Sequence, residues 1–304
     1  MIKSVTVTNF LGNILKMEMT SPEKSGFIIK EITGLGPCKA DINSKELATS
    51  DGSVFNSARV TTRNIVMKLQ FMFKPTIEDV RQRSYKYFPL KKKLKITIET
   101  DNRVCETYGY VESNEPSIWS KEEGCQISII CPDPFFYSAG EDGSQVTVFY
   151  GVEDAFEFEF SNESLTENML EFGRATYSTE RIIHYLGDDD VGMTISIIVN
   201  GDVNMLTIYN VETREFFKLD TNKLKTLTGN GLIQGDVVTI STIRGERKIT
   251  IMRDGVEYNI LNAVDKNSTW LTLSRGDNII AYTAEYGGSN IELRIDNKII
   301  YEGV

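Results

Sequence analysis

The side chains able to do acid–base, nucleophilic or metal chemistry are few and scattered. His184 is the chain's one histidine, and it lies in Arg181–Leu186, where it alternates with Ile182 as on a strand. A histidine triad needs a nucleophile and an orienting acid, and zinc sites take several His or Cys. The four cysteines, Cys38, Cys105, Cys125 and Cys131, stand 67, 20 and 6 residues apart with no C-x-x-C pair. Such spacing fits neither a metal knuckle nor a redox couple, so reduced, buried thiols are expected. The glycine-containing run Thr228–Asp236 lacks the Gly-Lys-Ser/Thr ending of a phosphate loop and leads into a strand, VVTIST, instead of a helix. Asp188-Asp189-Asp190 offers hard ligands, but no EF-hand spacing follows it; a solvated turn fits better than a calcium loop. Carboxylates abound in the second half, and abundance alone does not define a glycosidase pair. Asn162-Glu163-Ser164 and Asn267-Ser268-Thr269 match the glycosylation acceptor pattern, which is silent without secretion. Trp270, expected on the strand Trp270–Leu273, is the one candidate for stacking on a sugar, with a core position as the plainer reading. No catalytic, cofactor or metal constellation emerges, and an enzyme is not expected.

The elements that would hold these residues are mostly strands. Ser4–Asn9, Phe27–Leu35 and the long alternating stretch Ala58–Phe73 open the chain. Thr76 with Asp79 three residues on predicts a helix start after Pro75. Ile77, Val80, Ser84 and Tyr87-Phe88 give that helix one buried face, and Pro89 ends it. Leu94–Thr100, Val104–Val111 and Gln126–Ile130 return to strand up to the stop Cys131-Pro132-Asp133-Pro134. The polar stretch 138–144 reads as a linker. Beyond it come many short strands, among them Ala155–Phe160, with a tight hairpin at Asp254-Gly255 and one short helical turn near Ser164–Phe172. The expected architecture is mainly β: a sandwich- or barrel-like domain with one helix over 1–137, the linker 138–144, and a β-sandwich over 145–304.

At 304 residues, 40% hydrophobic and 25% charged, the chain can fill two cores. The N-terminus alternates like a strand and lacks the apolar block of a signal peptide, so the protein is expected to stay in the cell that makes it unless it leaves within an assembly. Its net charge of −10 is unevenly spread: residues 1–140 carry 19 Lys+Arg against 16 Asp+Glu, and the rest carry 14 against 27. An acidic second half repels nucleic acid and anionic lipid, and no apolar run approaches the ~20 residues of a membrane span. The cluster Lys91-Lys92-Lys93 with Lys95 reads as a solvated strand edge.

A series of local patterns, in order, carries a family resemblance. Ile32-Thr33-Gly34-Leu35-Gly36-Pro37, Ala40-Asp41-Ile42-Asn43, Asp51–Asn56, Arg59, Arg63-Asn64-Ile65, Tyr87-Phe88-Pro89, Thr100–Arg103, Gly109–Glu112 and Cys131–Phe135 resemble the N-terminal domain of phage distal tail proteins. Asn210–Thr213 with Phe216-Phe217, Gln234–Asp236, Arg253–Gly255, Trp270–Leu273, Arg275–Asn278 and the ending Tyr301-Glu302-Gly303-Val304 resemble the galectin-like, jelly-roll-type domain attached to many of them. The resemblance implies a homohexameric ring that joins the tail tube to the baseplate or tail-tip hub. The outer domains would receive tail-fibre or receptor-binding proteins. It also implies assembly in the cytoplasm of a bacterial host and a final place in the virion tail or a tail-like particle.

Sheet chemistry suggests how such a ring closes. Ala58–Phe73 is longer than a small sandwich needs and could run over a neighbour as a hairpin. Asp51, Arg59 and Arg63 are therefore expected at or near subunit contacts. The alternative function is a carbohydrate-binding adhesion protein using the second sandwich, with Trp270 as its contact.

Overall fold

The computed structural model describes residues 1–47, 51–73, 76–120, 122–139, 143–153, 174–177 and 179–304. The chain forms two units, Met1–Gly143 with Ile300–Val304, and Ser144–Ile299. Ile300–Val304 belong to the first unit, where Ile300 and Tyr301 pair with Tyr137 and Phe136.

The first unit contains β1 (Ile2–Asn9), β2 (Ile14–Glu18), α1 (Pro22–Ser25), β3 (Phe27–Thr33), β4 (Ala40–Glu46), β5 (Ser53–Val60), β6 (Arg63–Phe71), α2 (Ile77–Tyr87), β7 (Lys93–Thr100), β8 (Val104–Ser117), β9 (Gly124–Cys131) and β10 (Phe136–Ser138). Its antiparallel sheet runs β2-β1-β7-β8-β9-β6-β3. Alternation decides the core: Val5, Val7, Ile65, Met67, Leu69, Ile96, Ile98, Ile127 and Ile129 all point inward, and each is buried. The helix start at Thr76 is as expected. Its hydroxyl accepts from the Asp79 N–H at 3.1 Å, and Val80, Ser84 and Phe88 close onto the core.

The second unit follows with β11 (Ser144–Val148), β12 (Tyr150–Glu153), β13 (Arg174–Tyr177), β14 (Glu180–Tyr185), β15 (Val191–Val199), β16 (Asn204–Asn210), β17 (Phe216–Leu219), α3 (Thr221–Thr228), β18 (Val237–Ser241), β19 (Lys248–Arg253), β20 (Val256–Asn259), β21 (Thr272–Leu273), β22 (Gly276–Tyr286) and β23 (Ile291–Lys298). The chain ends with β24 (Ile300–Tyr301), which pairs with β10 in the first unit. Two antiparallel sheets, β11-β23-β15-β18-β19-β20 and β14-β22-β16-β17, bury alternate residues such as Ile195, Ile197, Leu293, Leu206, Ile208 and Ile280. The Asp254-Gly255 turn has positive φ at both positions, +51° and +76°, as a type I′ hairpin requires.

Three local expectations change. Ala58–Phe73 is two strands, because β5 pairs with β4 while β6 pairs with β3 and β9. The change of partners falls at Thr61-Thr62, where the Thr61 N–H donates to Lys39 O at 3.1 Å. Trp270 precedes the short β21 and is on no strand. The helix α3 was not anticipated, although its signals are present: Asp220 caps it by accepting from the Asn222 and Lys223 N–H groups, and Gly229 ends it at φ +84°. The strand expected at Ala155–Phe160 and the turn near Ser164–Phe172 lie outside the described residues.

Candidate functional site

β4 and β5 form a two-stranded hairpin in which every residue is exposed. Seven paired positions at about 3.3 Å per residue make an arm about 23 Å long. The register gives it two unlike faces. Ala40 lies opposite Val60 and Ile42 opposite Ala58, while skipping Asn56 sets Phe55 opposite Ser44. Because alternate residues point to opposite faces, the bulge turns Phe55 onto the side of Ile42, Ala58 and Val60. Ile42 is 65% and Phe55 63% exposed. The opposite face holds Asp41 and Arg59, whose Nη2 and Nε donate to Asp41 Oδ2 at 3.1 and 3.2 Å. Asp51 is exposed next to the start of β5. An isolated hairpin with an uncovered apolar side is marginal in water, so this arm is built to be covered.

Arg63 stands where the arm joins β6. Its side chain is not at the surface: Arg63 is 2% exposed. Nε donates to Pro134 O at 2.7 Å, Nη1 to Gly34 O and Gly36 O at 2.5 and 2.7 Å, and Nη2 to Glu302 O at 2.6 Å. The guanidinium lies over the Phe136 ring, 4.3 Å from its centroid. Arginine suits this place because its planar fork satisfies several fixed acceptors at once, and burial draws its pKa below the ordinary value. Gly34 is required: at φ +83°, a Cβ there would come within 2.0 Å of Asn64 O. Four sequence patterns thus meet at one side chain: Ile32–Pro37, Arg63-Asn64-Ile65, Cys131–Phe135 and Tyr301–Val304. Both roots of the arm, at Gly36 and at Arg63, are pinned by it. The Arg63 side chain, expected at or near a subunit contact, faces its own unit, and the arm it anchors carries Arg59 and Asp51, both exposed.

The remaining candidates fall apart in space or into structure. Trp270 is half-buried, packed on Phe217 with centroids 5.4 Å apart, and Arg247 lies 5.7 Å above it. His184 Nδ1 meets Asp277 Oδ1 at 2.5 Å on an exposed surface. The four cysteines are free thiols, three buried and Cys38 half-buried. Among the described residues, no three His, Cys, Asp or Glu side chains stand together as metal ligands, and no helix is long and apolar enough to cross a membrane. Within the second unit, Arg253 Nε and Nη2 hold Asp236 at 2.7 and 2.5 Å, and the guanidinium also reaches Gly231 O and Thr228 Oγ1. This pairing explains the Gln234–Asp236 and Arg253–Gly255 patterns as a clamp between β19 and the turn before β18.

No curated protein matches the chain by sequence. Among solved structures, the crystal structure of the phage SPP1 Dit (gp 19.1) protein superposes with a TM-score of 0.64 over 97% of this chain and 98% of that one, at 13% identity. That protein is described as a paradigm of the hub adsorption apparatus in phages that infect Gram-positive bacteria. Chains of the phage P2 baseplate in its activated conformation, with calcium or with strontium, align over 97% and 96% of this chain at 9% and 8% identity, with TM-scores of 0.45 and 0.44. The fold of this chain is thus similar to that of the SPP1 Dit protein, and residues 186–295 match the sequence family of the siphovirus-type tail component, C-terminal domain.

Proposed function

We propose that the protein is a structural component of the distal tail or baseplate of a phage or phage-tail-like particle. It forms a ring of copies, six in number by family resemblance, that joins the tail tube to the baseplate or tail-tip hub. The observation that carries this reading is the wholly exposed hairpin β4–β5 with one apolar face. A repeated contact of unlike surfaces closes into a ring when its rotation divides a full turn, and an arm laid over the next copy is such a contact. Asp51 and Arg59 would sit at or near that contact, Arg59 on the arm's opposite face, and Arg63 would set the arm's direction from behind. The partners are further copies, the tail tube protein, and hub, fibre or receptor-binding proteins. The role is geometric and non-catalytic, and its place is the virion tail after assembly in the host.

The test is electron microscopy and mass measurement in solution on purified protein and on Ile42→Asp and Phe55→Asp. Rings with six-fold symmetry for the wild type, lost in both variants at unchanged thermal stability, are expected. Normal rings from both variants would overturn the arm as the contact, and particles assembled normally without this protein would overturn the function.

A further inference from the structure

A second surface on the first unit pairs basic with apolar groups, and its two loops are fixed in place. The turn after β1 is held by Asn9, whose Oδ1 accepts from the Leu11 and Asn13 N–H groups at 3.0 Å each. The segment before β7 is tied to β8 by the Lys91 N–H, which donates to Val111 O at 2.9 Å. Lys92 Nζ lies 5.4 Å from the Phe10 ring and Lys93 Nζ 4.7 Å from the Tyr108 ring. Leu11, Ile14, Leu90 and Tyr110 are exposed around them. Lys3, Lys16, Lys24, Lys30, Lys68 and Lys95 of the same unit each stand within 4 Å of a carboxylate. Lys91, Lys92 and Lys93, like Lys39, Lys45 and Lys86, have no such partner among the described residues, and they alone of these stand side by side. A single-stranded nucleic acid is the poorer occupant: lysines already cover two ring faces that bases would need, and the chain's net charge is −10.

The complement occurs in the second unit. β14 is the end strand of its sheet among the described residues, and on its outward side Ile182 and Leu186, 62% and 61% exposed, flank His184, which is paired with Asp277. Asp188, Asp189 and Asp190 follow, all exposed, with Asp188 Oδ1 4.0 Å from the Arg275 guanidinium. Exposed apolar side chains beside carboxylates thus complement in charge the exposed apolar side chains beside lysines.

We infer that the Phe10/Leu90/Lys91–Lys93 surface of one copy takes the Ile182–Asp190 edge of a second copy. This contact is separate from the arm and rests on the reading of the protein as a self-associating component. Desolvated apolar groups supply the affinity, while the lysine–aspartate rim sets the register and rejects like-charged alternatives.

The test mixes ¹⁴N- and ¹⁵N-labelled protein, applies a zero-length carbodiimide crosslinker and reads the linked peptides by mass spectrometry. Lys92 or Lys93 joined to Asp189 or Asp190 across the two labels is the expected result. Lys92→Glu with Lys93→Glu should weaken this association by about a hundredfold, and adding Asp189→Lys with Asp190→Lys should restore it. Rings that form without the crosslink, or crosslinks confined to one label, overturn the contact and leave the arm reading standing. Crosslinks that persist in Phe55→Asp protein, together with unchanged rings, overturn the arm reading and leave this contact. Protein that stays monomeric at all concentrations overturns both. Protection of Lys92 and Lys93 by oligo-dT but not by a second copy assigns the surface to nucleic acid instead.

Discussion

The Arg63 guanidinium donates to the carbonyl of Glu302 at 2.6 Å, joining residues 239 apart in sequence. The carbonyls of Gly34, Gly36 and Pro134 share the same side chain. One residue therefore binds the two roots of the exposed arm, the end of β9 and the last residues of the chain. Removing it takes the charged donor from four carbonyls, of which Pro134 O keeps a contact from Cys38 Sγ at 3.7 Å.

Arg63→Ala is expected to destabilise the first unit by about 3 kcal/mol, the scale of losing hydrogen bonds from a charged donor. Chemical denaturation checks this, with hydrogen exchange rising first at Gly34, Gly36 and Phe136. A loss under 1 kcal/mol would mean that the clamp does not organise this unit. Arg63→Lys should recover only part of the loss, because one ammonium cannot reach the same set of carbonyls.

Truncation after Ile299 removes β24 and the Glu302 acceptor. The first unit should then lose about 2 kcal/mol, from one charge-assisted hydrogen bond and the burial of Ile300. Two unfolding transitions, with only that of the first unit moved, are the expected calorimetric result.

Asp236 and Arg253 form the corresponding buried pair of the second unit, with side chains 1% and 10% exposed. Asp236→Ala strands the guanidinium and should cost about 3–5 kcal/mol. Arg59→Ala, which breaks the exposed pair with Asp41, should change monomer stability by less than about 1 kcal/mol. The contrast between the two variants in one denaturation series tests whether burial, and not ion pairing as such, decides the loss.

Burial pushes the Cys125 thiol up to about 12 and the Cys131 thiol up to about 11. The folded protein then holds these protons above the pH at which the unfolded chain releases them, near 9. Stability from this source is complete below pH 9 and declines as pH rises toward 11–12. At pH 8 a thiol reagent should label Cys38 first, with Cys105, Cys125 and Cys131 reacting only on unfolding. Fast labelling of Cys125 in folded protein would contradict the burial.

Trp270→Ala removes the ring packed on Phe217, and a loss of about 2–3 kcal/mol in the second unit is expected. Retention on a glycan array should not change. Glycan binding by the wild type that disappears in this variant at intact stability would instead establish the sugar-binding reading.

Much of the first unit is legible in the residues themselves. The alternation of Ile65, Met67 and Leu69 predicts an inward strand face, and Thr76 with Asp79 predicts the start of α2, because both depend on interactions within a few residues. Asp254-Gly255 likewise writes its own turn. The same local reading runs Ala58–Phe73 together, since β5 and β6 alternate alike and only their pairing in different sheets separates them. It puts Trp270 on a strand for want of the neighbour, Phe217, that holds it off one. Arg63 shows the limit most plainly: an arginine between Thr62 and Asn64 reads as surface, and only the tertiary structure brings four distant carbonyls and Phe136 around it. Sequence fixes what a residue can donate, accept or bury at short range, whereas the burial of a charge depends on which acceptors long-range closure delivers, and that is settled when Glu302 returns to Arg63.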